Sequence, residues 1–208
     1  MRRLPLVLPF VLAAATLAAQ PRRPQPDLLK PETVDQQAPP VFRARIENTR
    51  DTFVIEVHRD WAPHGADRFY SLVKAGFYDA CRFFRVLPYF MVQFGINGNP
   101  KIQAAWRSAT IPDDPVKVSN KRMSVSFATS GPNTRTTQVF INYRDNTMLD
   151  AQGFAPFGVV VEGMNAVAEL EAKFADRPDQ KRIEQEGNAY LIREFPGMSA
   201  ITRATISR

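Results

Sequence analysis

What most constrains this chain is a series of short apolar segments with strand character that do not alternate regularly with helices. Val41 to Ile46 and Thr52 to Val57 are strand-like, and Asn48-Thr49-Arg50-Asp51 supplies turn chemistry between them, which predicts a hairpin. Further strand candidates are Arg82 to Leu87, Phe90 to Phe94, Ser124 to Ala128, Gln138 to Asn142, Phe157 to Val161 and Ile201 to Ile206. Pro88-Tyr89 separates two of these, because proline does not belong inside a continuous interior strand. Between Pro63 and Ala75, Ala66, Phe69, Tyr70 and Val73 recur at helical spacing, with Gly76 following as a stop. Met164 to Phe174 predicts another helix, Asp179 to Phe195 holds a polar helix candidate, and Gln103 to Arg107 suits one helical turn. This order argues against a doubly wound parallel sheet. Eight strands of this length commonly close on themselves with helices plugging the ends. The expected architecture is mainly β: a closed eight-stranded antiparallel barrel capped by two or three helices. Fifteen Phe against two Trp point to a core built largely of phenylalanine.

The first forty residues have a different character. Met1-Arg2-Arg3 is a short positive start, Leu4 to Ala19 is almost wholly apolar and small, and Gln20-Pro21 ends the run. This is the pattern of a secretory signal peptide over residues 1–20. The apolar run is short for a membrane-spanning helix, and Gln20 stands where a lipoprotein would need cysteine. The expectation is an exported protein, periplasmic, with no stable membrane insertion after processing. Residues 21–40 carry six prolines among Gln and mixed charges, so a disordered, semi-extended linker is expected there. The folded domain is expected to occupy residues 41–208.

Several chemistries lose support from the same sequence. The formal charge of +6 comes from scattered Lys and Arg with no basic run, which gives no footprint for nucleic acid. Cys81 is the single cysteine, so no internal disulfide is expected and it reads as a small buried strand residue. His58 and His64 lack metal-ligand spacing and suit the surface. No Gly-rich phosphate loop and no Gly-x-Ser-x-Gly elbow occurs. Asp113-Asp114 reads as a solvated turn within a long loop over residues 96–120, and a loop of that length usually covers or flanks a site. What remains is the apolar stretch from Phe83 to Gly95, with Arg85 embedded in it. Phe84 breaks the simple alternation, so pattern alone leaves Arg85 either on a wet sheet face or in a site.

Phe83-x-Arg85-Val86-x-Pro88-x-Phe90-Met91-Val92-Gln93, followed by Ser130-Gly131-Pro132-Asn133-Thr134 and Gln138-x-Phe140, resembles the two signatures of the cyclophilin family in the right order. The resemblance covers about Val41 to Arg208 and implies a peptidyl-prolyl cis-trans isomerase, here in an exported bacterial form. It implies Arg85 as the catalytic arginine. Phe90, Met91, Phe140 and Leu149 would line a proline pocket, with Phe154 at its rim. Gln93, Gln138 and the backbone near Ala128 and Thr129 would hold the substrate chain. Proline-containing polypeptides are the implied partners, with no cofactor and no metal, and a monomer is expected. The alternative is the same barrel acting as a proline-segment binding module or chaperone with little turnover. Thr129 stands where the family often has Asn, Met148 where many members have Trp, and Phe154 where many have His. Phe154 makes the pocket rim more apolar, and Met148 and Phe154 weaken the expectation of cyclosporin-like macrocycle binding.

Overall fold

The computed structural model describes residues 27–207, so the signal-like segment and the first part of the expected linker lie outside the described residues. Eight strands form one sheet: β1 (Val41–Asn48), β2 (Thr52–His58), β3 (Arg85–Leu87), β4 (Met91–Phe94), β5 (Ser124–Phe127), β6 (Val139–Asn142), β7 (Pro156–Glu162) and β8 (Ile201–Ser207). Their spatial order is β3-β4-β6-β5-β7-β2-β1-β8, and every pairing is antiparallel. The helices are α1 (Pro63–Lys74), α2 (Pro100–Trp106), α3 (Met164–Ala168), α4 (Gln180–Glu186) and α5 (Asn188–Glu194). None is long and apolar enough to cross a membrane.

The expected closed barrel is a curled sheet instead, because β3 and β8 form no ladder with each other. The chain ahead of β3 runs through turns, so only a few bonds cross the seam. Ala80 N donates to Ile201 O (2.9 Å), Ile201 N to Cys81 O (2.8 Å) and Phe83 N to Ser199 O (3.0 Å). One isolated bridge, Arg82 to Ala200, completes this contact.

Strand alternation explains the core. Phe42, Ala44 and Ile46 of β1 are buried, while Arg43 and Arg45 point outward. In β4, β5 and β6 every residue is buried, so both sheet faces are covered there. Val92, Phe94, Val125, Phe127, Val139 and Ile141 face the main core. Met91, Gln93, Ser126 and Phe140 alternate with them and therefore lie on the opposite, outer face. The core is rich in phenylalanine: Phe53, Phe69, Phe77, Phe83, Phe94 and Phe157 are all fully buried.

The helices differ from expectation in number and extent. The predicted helix over Met164 to Phe174 stops at Ala168. Leu170 then enters the main core and Phe174 a second cluster. The polar helix over Asp179 to Phe195 is broken at Gly187, with φ 63° and ψ −147°, into α4 and α5. A side chain at Gly187 would collide with Gly98 O and Pro100 Cδ, so this close approach requires glycine. Ile183, Tyr190 and Leu191 from these helices, with Phe195 just past α5, pack with Phe84 and Phe174 in the second cluster.

The disordered linker expected over 21–40 does not describe residues 27–40. Pro31–Thr33 form a 3₁₀ turn, and Val34 is only 2% exposed. Beyond it, Gln36 N donates to Ser71 Oγ (2.9 Å) and Ala38 N to Asp67 Oδ1 (2.8 Å). Trp106 Nε1 donates to Leu28 O (2.9 Å). The polar face of α1 thus supplies partners for an extended backbone that carries few apolar side chains of its own. The acidic pair is not a solvated turn either. Asp114 accepts from His64 N (3.0 Å) and Gly65 N (2.8 Å), satisfying orphan donors at the start of α1. Asp113 is ion-paired to Arg135.

Candidate active site

The outer face of β3, β4, β6 and β5 opens into a groove of about 570 Å³. Arg85, Phe90, Met91, Gln93, Ala128, Thr129, Gln138, Phe140, Leu149 and Phe154, nominated above from scattered segments, all line it.

Arg85 reaches this face because its neighbours go elsewhere. Phe83 and Val86 enter the main core, and Phe84 packs under α4 and α5. Arg85 lies opposite Gln93 in the β3–β4 register. Its Nη1 donates to Gln93 Oε1 at 3.4 Å, and Gln93 Nε2 donates to Gln138 Oε1 at 2.8 Å. This relay orients the half-buried guanidinium with a neutral partner. The one carboxylate lining the groove, Glu184, is paired with Arg107 instead, at 3.3 Å. The positive charge of Arg85 is therefore available to a ligand.

Beside it lies an apolar cup. Met91, Phe140 and Leu149 form a small buried cluster, with Leu87, Phe90, Ala128 and Phe154 packed around it. Phe154 meets Phe140 edge to face, with ring centroids 5.5 Å apart. Ala128 N donates to Gln138 O (2.9 Å), extending the β5–β6 ladder along the groove wall. Thr129 Oγ1 bonds within its own loop, to Gly131 and Thr134, so its backbone is the part left for a ligand chain.

A buried polar network holds the cup from behind. Asn146 Nδ2 donates to Phe90 O (2.9 Å) and Asn120 Nδ2 to Phe154 O (2.8 Å). Asp150 accepts from Asn120 N (2.8 Å), Asn120 Nδ2 (2.7 Å) and Ser119 Oγ (2.5 Å). Burial pushes the Asp150 carboxyl up, but the bonds from Ser119 and Asn120 outweigh it and hold the carboxyl below its usual range.

Further lining residues were not read from the sequence. Gln103, Arg107 and Thr110 come from the 96–120 segment, whose length was the only signal. Gln180 and Glu184 come from α4, where nothing local marked them.

Residues 43–188, more than half of the chain, match the family model described as cyclophilin type peptidyl-prolyl cis-trans isomerase/CLD. This chain belongs to the cyclophilin-type family. A peptidyl-prolyl cis-trans isomerase of Acinetobacter baylyi is 38% identical over 123 residues, covering 56% of this chain and 64% of that protein. The chain therefore spans a little under two thirds of this relative. A peptidyl-prolyl cis-trans isomerase-like 3 protein of Neurospora crassa is 32% identical over 151 residues, covering 68% of this chain and 89% of that protein. A crystal structure of a cyclophilin type peptidyl-prolyl cis-trans isomerase from Cryptosporidium parvum superposes with a TM-score of 0.59 at 18% identity, covering 81% of this chain and 98% of that one. At that identity the likeness establishes the cyclophilin fold: mainly β, antiparallel, curled and flanked by helices.

Proposed function

We propose that this protein is a peptidyl-prolyl cis-trans isomerase that accelerates rotation about X-Pro bonds in exported polypeptides, acting as a monomer. The observation that carries the reading is the juxtaposition of an oriented guanidinium, free of any carboxylate in the groove, with an apolar cup of Phe, Met and Leu.

Amide resonance resists the rotation with a barrier of about 18–20 kcal/mol, and no bond needs to break. The catalyst has only to bind the twisted imide better than either planar form. Twisting ends conjugation and makes the proline nitrogen pyramidal and more basic. A fixed positive charge beside that nitrogen or the adjacent carbonyl favours the twisted state. The cup of Phe90, Met91, Phe140, Leu149 and Phe154 would hold the ring while the preceding residue swings. Apolar walls keep the local dielectric low, which strengthens the Arg85 contact. Each 1.36 kcal/mol gained this way is about tenfold in rate. Gln93 would keep Arg85 aimed, and Gln138 with the Ala128–Thr129 backbone would hold the substrate chain. The pattern of residues 1–20 supports an exported, periplasmic location, which mass spectrometry of the mature N-terminus tests.

Cis-trans exchange of a short X-Pro peptide, followed by NMR with catalytic amounts of protein, tests the activity. Arg85→Ala is expected to lower kcat/KM by about a hundredfold or more. Its melting temperature should stay near wild type, because Arg85 makes one long hydrogen bond. Equal catalysis by both proteins refutes the mechanism. Binding without catalysis by either protein favours the binding-module alternative.

A further inference from the structure

The groove is larger than its apolar cup, and its polar part plays no role in the rotation described above. Gln103, Arg107 and Thr110 line it from α2 and the chain that follows, Gln180 and Glu184 from α4. Gln103 and Arg107 are four residues apart, as are Gln180 and Glu184, so each helix turns one face to the groove. The two walls are tied together. Asn188 N, just past α4, donates to Gly98 O (2.9 Å) ahead of α2, and Arg107 meets Glu184 at 3.3 Å.

This part of the groove is rich in donors. Gln103 is 3% exposed, and its Oε1 accepts from Asn97 N at 2.8 Å. Only the carbonyl end of an amide can meet a backbone N–H, so this bond fixes which way the side chain points. Its Nε2 has no acceptor among the described residues, although Gln103 lines the groove. Arg107 is a second donor, with one arm on Glu184 and further N–H groups to spare. Behind the wall, Arg68 Nη1 donates to Ala109 O (2.5 Å) and to the carbonyl of Thr136 (3.2 Å), itself a lining residue. Against these donors and Arg85, Glu184 is the one carboxylate in the lining. Its pair with Arg107 is partly exposed, and such pairs contribute little, so exchanging Glu184 for another carboxylate costs little.

We propose that Arg107 and Gln103 are specificity-determining residues that read an acidic side chain of the substrate, an Asp or Glu within about three residues of the proline, a reach of roughly 10 Å of extended chain. The substrate carboxylate takes Arg107 from Glu184 and accepts from Gln103 Nε2. Glu184 is then the resident occupant of this acid site and keeps Arg107 in place between substrates. The incoming carboxylate gains the Gln103 donor, which Glu184 does not engage. This rests on the isomerase reading and names the substrate class of that site: proline segments with a nearby acidic residue.

The test uses the full chain and short X-Pro peptides in which Gln, Glu or Lys stands, one position at a time, up to three residues before or after the proline. At one position wild type is expected to show a kcat/KM about three- to tenfold higher for Glu than for Gln, with Lys lowest. Arg107→Gln is expected to reduce the Glu advantage to under twofold. Glu184→Gln is expected to increase it, because no internal carboxylate then competes for Arg107. A wild type without a Glu advantage at any position overturns the inference. So does an undiminished advantage in Arg107→Gln, which places the acid on Arg85, and so does a preference for Lys, which assigns the selection to Glu184. An equal loss for every peptide in Arg107→Gln overturns it too. If wild type catalyses no peptide, the isomerase reading fails by itself. The dissociation constants of the same peptides then decide on Arg107, by the same loss or retention of the Glu advantage.

Discussion

Arg135 offers a test of how the groove is held together. Its side chain is 6% exposed, although it sits in a loop of the Gly-Pro-Asn-Thr type. The guanidinium is ion-paired to Asp113, and its Nη2 donates to Gly153 O at 2.6 Å. Its backbone carbonyl accepts from Ile111 N at 2.9 Å. One residue therefore ties three segments: the 128–138 loop, the chain around Thr110, and the turn that delivers Phe154. Arg135→Ala leaves Asp113 without this partner and Gly153 O without a donor. Breaking a fully buried pair costs about 3–5 kcal/mol. The Asp113 side chain is 35% exposed, so water recovers part of this loss. A net cost of about 2 kcal/mol follows. For a domain of this size that is a drop in melting temperature of about 4–8 °C. Arg135→Lys keeps the charge but loses the second arm of the fork, and should fall between the two. Thermal unfolding by circular dichroism measures all three proteins. Because Gly153 directly precedes Phe154, kcat/KM should also fall in Arg135→Ala, by less than in Arg85→Ala. A melting temperature within 1 °C of wild type would show the arginine to be solvated and refute the reasoning.

Acid stability should report on Asp150. Its carboxyl lies below the ordinary aspartate value of about 3.9, so its contribution is complete above that value and is lost as pH falls through the depressed one. Asp150→Asn is expected to cost about 1.5 kcal/mol near neutral pH and to flatten the acid limb, measured by urea unfolding at several pH values. An unchanged acid limb would contradict the assignment. Val34→Asp should destabilise the domain by about 2 kcal/mol or more, because it places a carboxylate against the core under the 27–40 segment. If that segment were a free linker, the denaturant midpoint would not move.

Much of the fold was legible because it follows from short-range rules. Alternation in Phe42-Arg43-Ala44-Arg45-Ile46, turn chemistry at Asn48–Asp51 and helical spacing in α1 are each contained within a few residues. The groove residues were legible for a different reason: three chemically distinctive segments occur in a fixed order, and the register of β4, β6 and β5 places them side by side.

The partners of polar groups were not legible in this way. Asp113 and Asp114 looked like a wet turn, yet they serve Arg135 and the start of α1, elements up to fifty residues away. Residues 27–40 looked too polar to order, yet Asp67 and Ser71 supply their hydrogen bonds.

By itself, then, the sequence determined the strands, the first helix and which scattered side chains come together in one groove. The tertiary structure alone decided that the sheet stays open at β3 and β8, that Arg85 faces the groove while Phe84 turns under α5, and that α2 and α4 supply the remaining wall. Local periodicity reports which side of an element is apolar. Which distant surface covers that side, and which distant donor meets a buried oxygen, depends on contacts between residues far apart in the chain, and no local spacing encodes them.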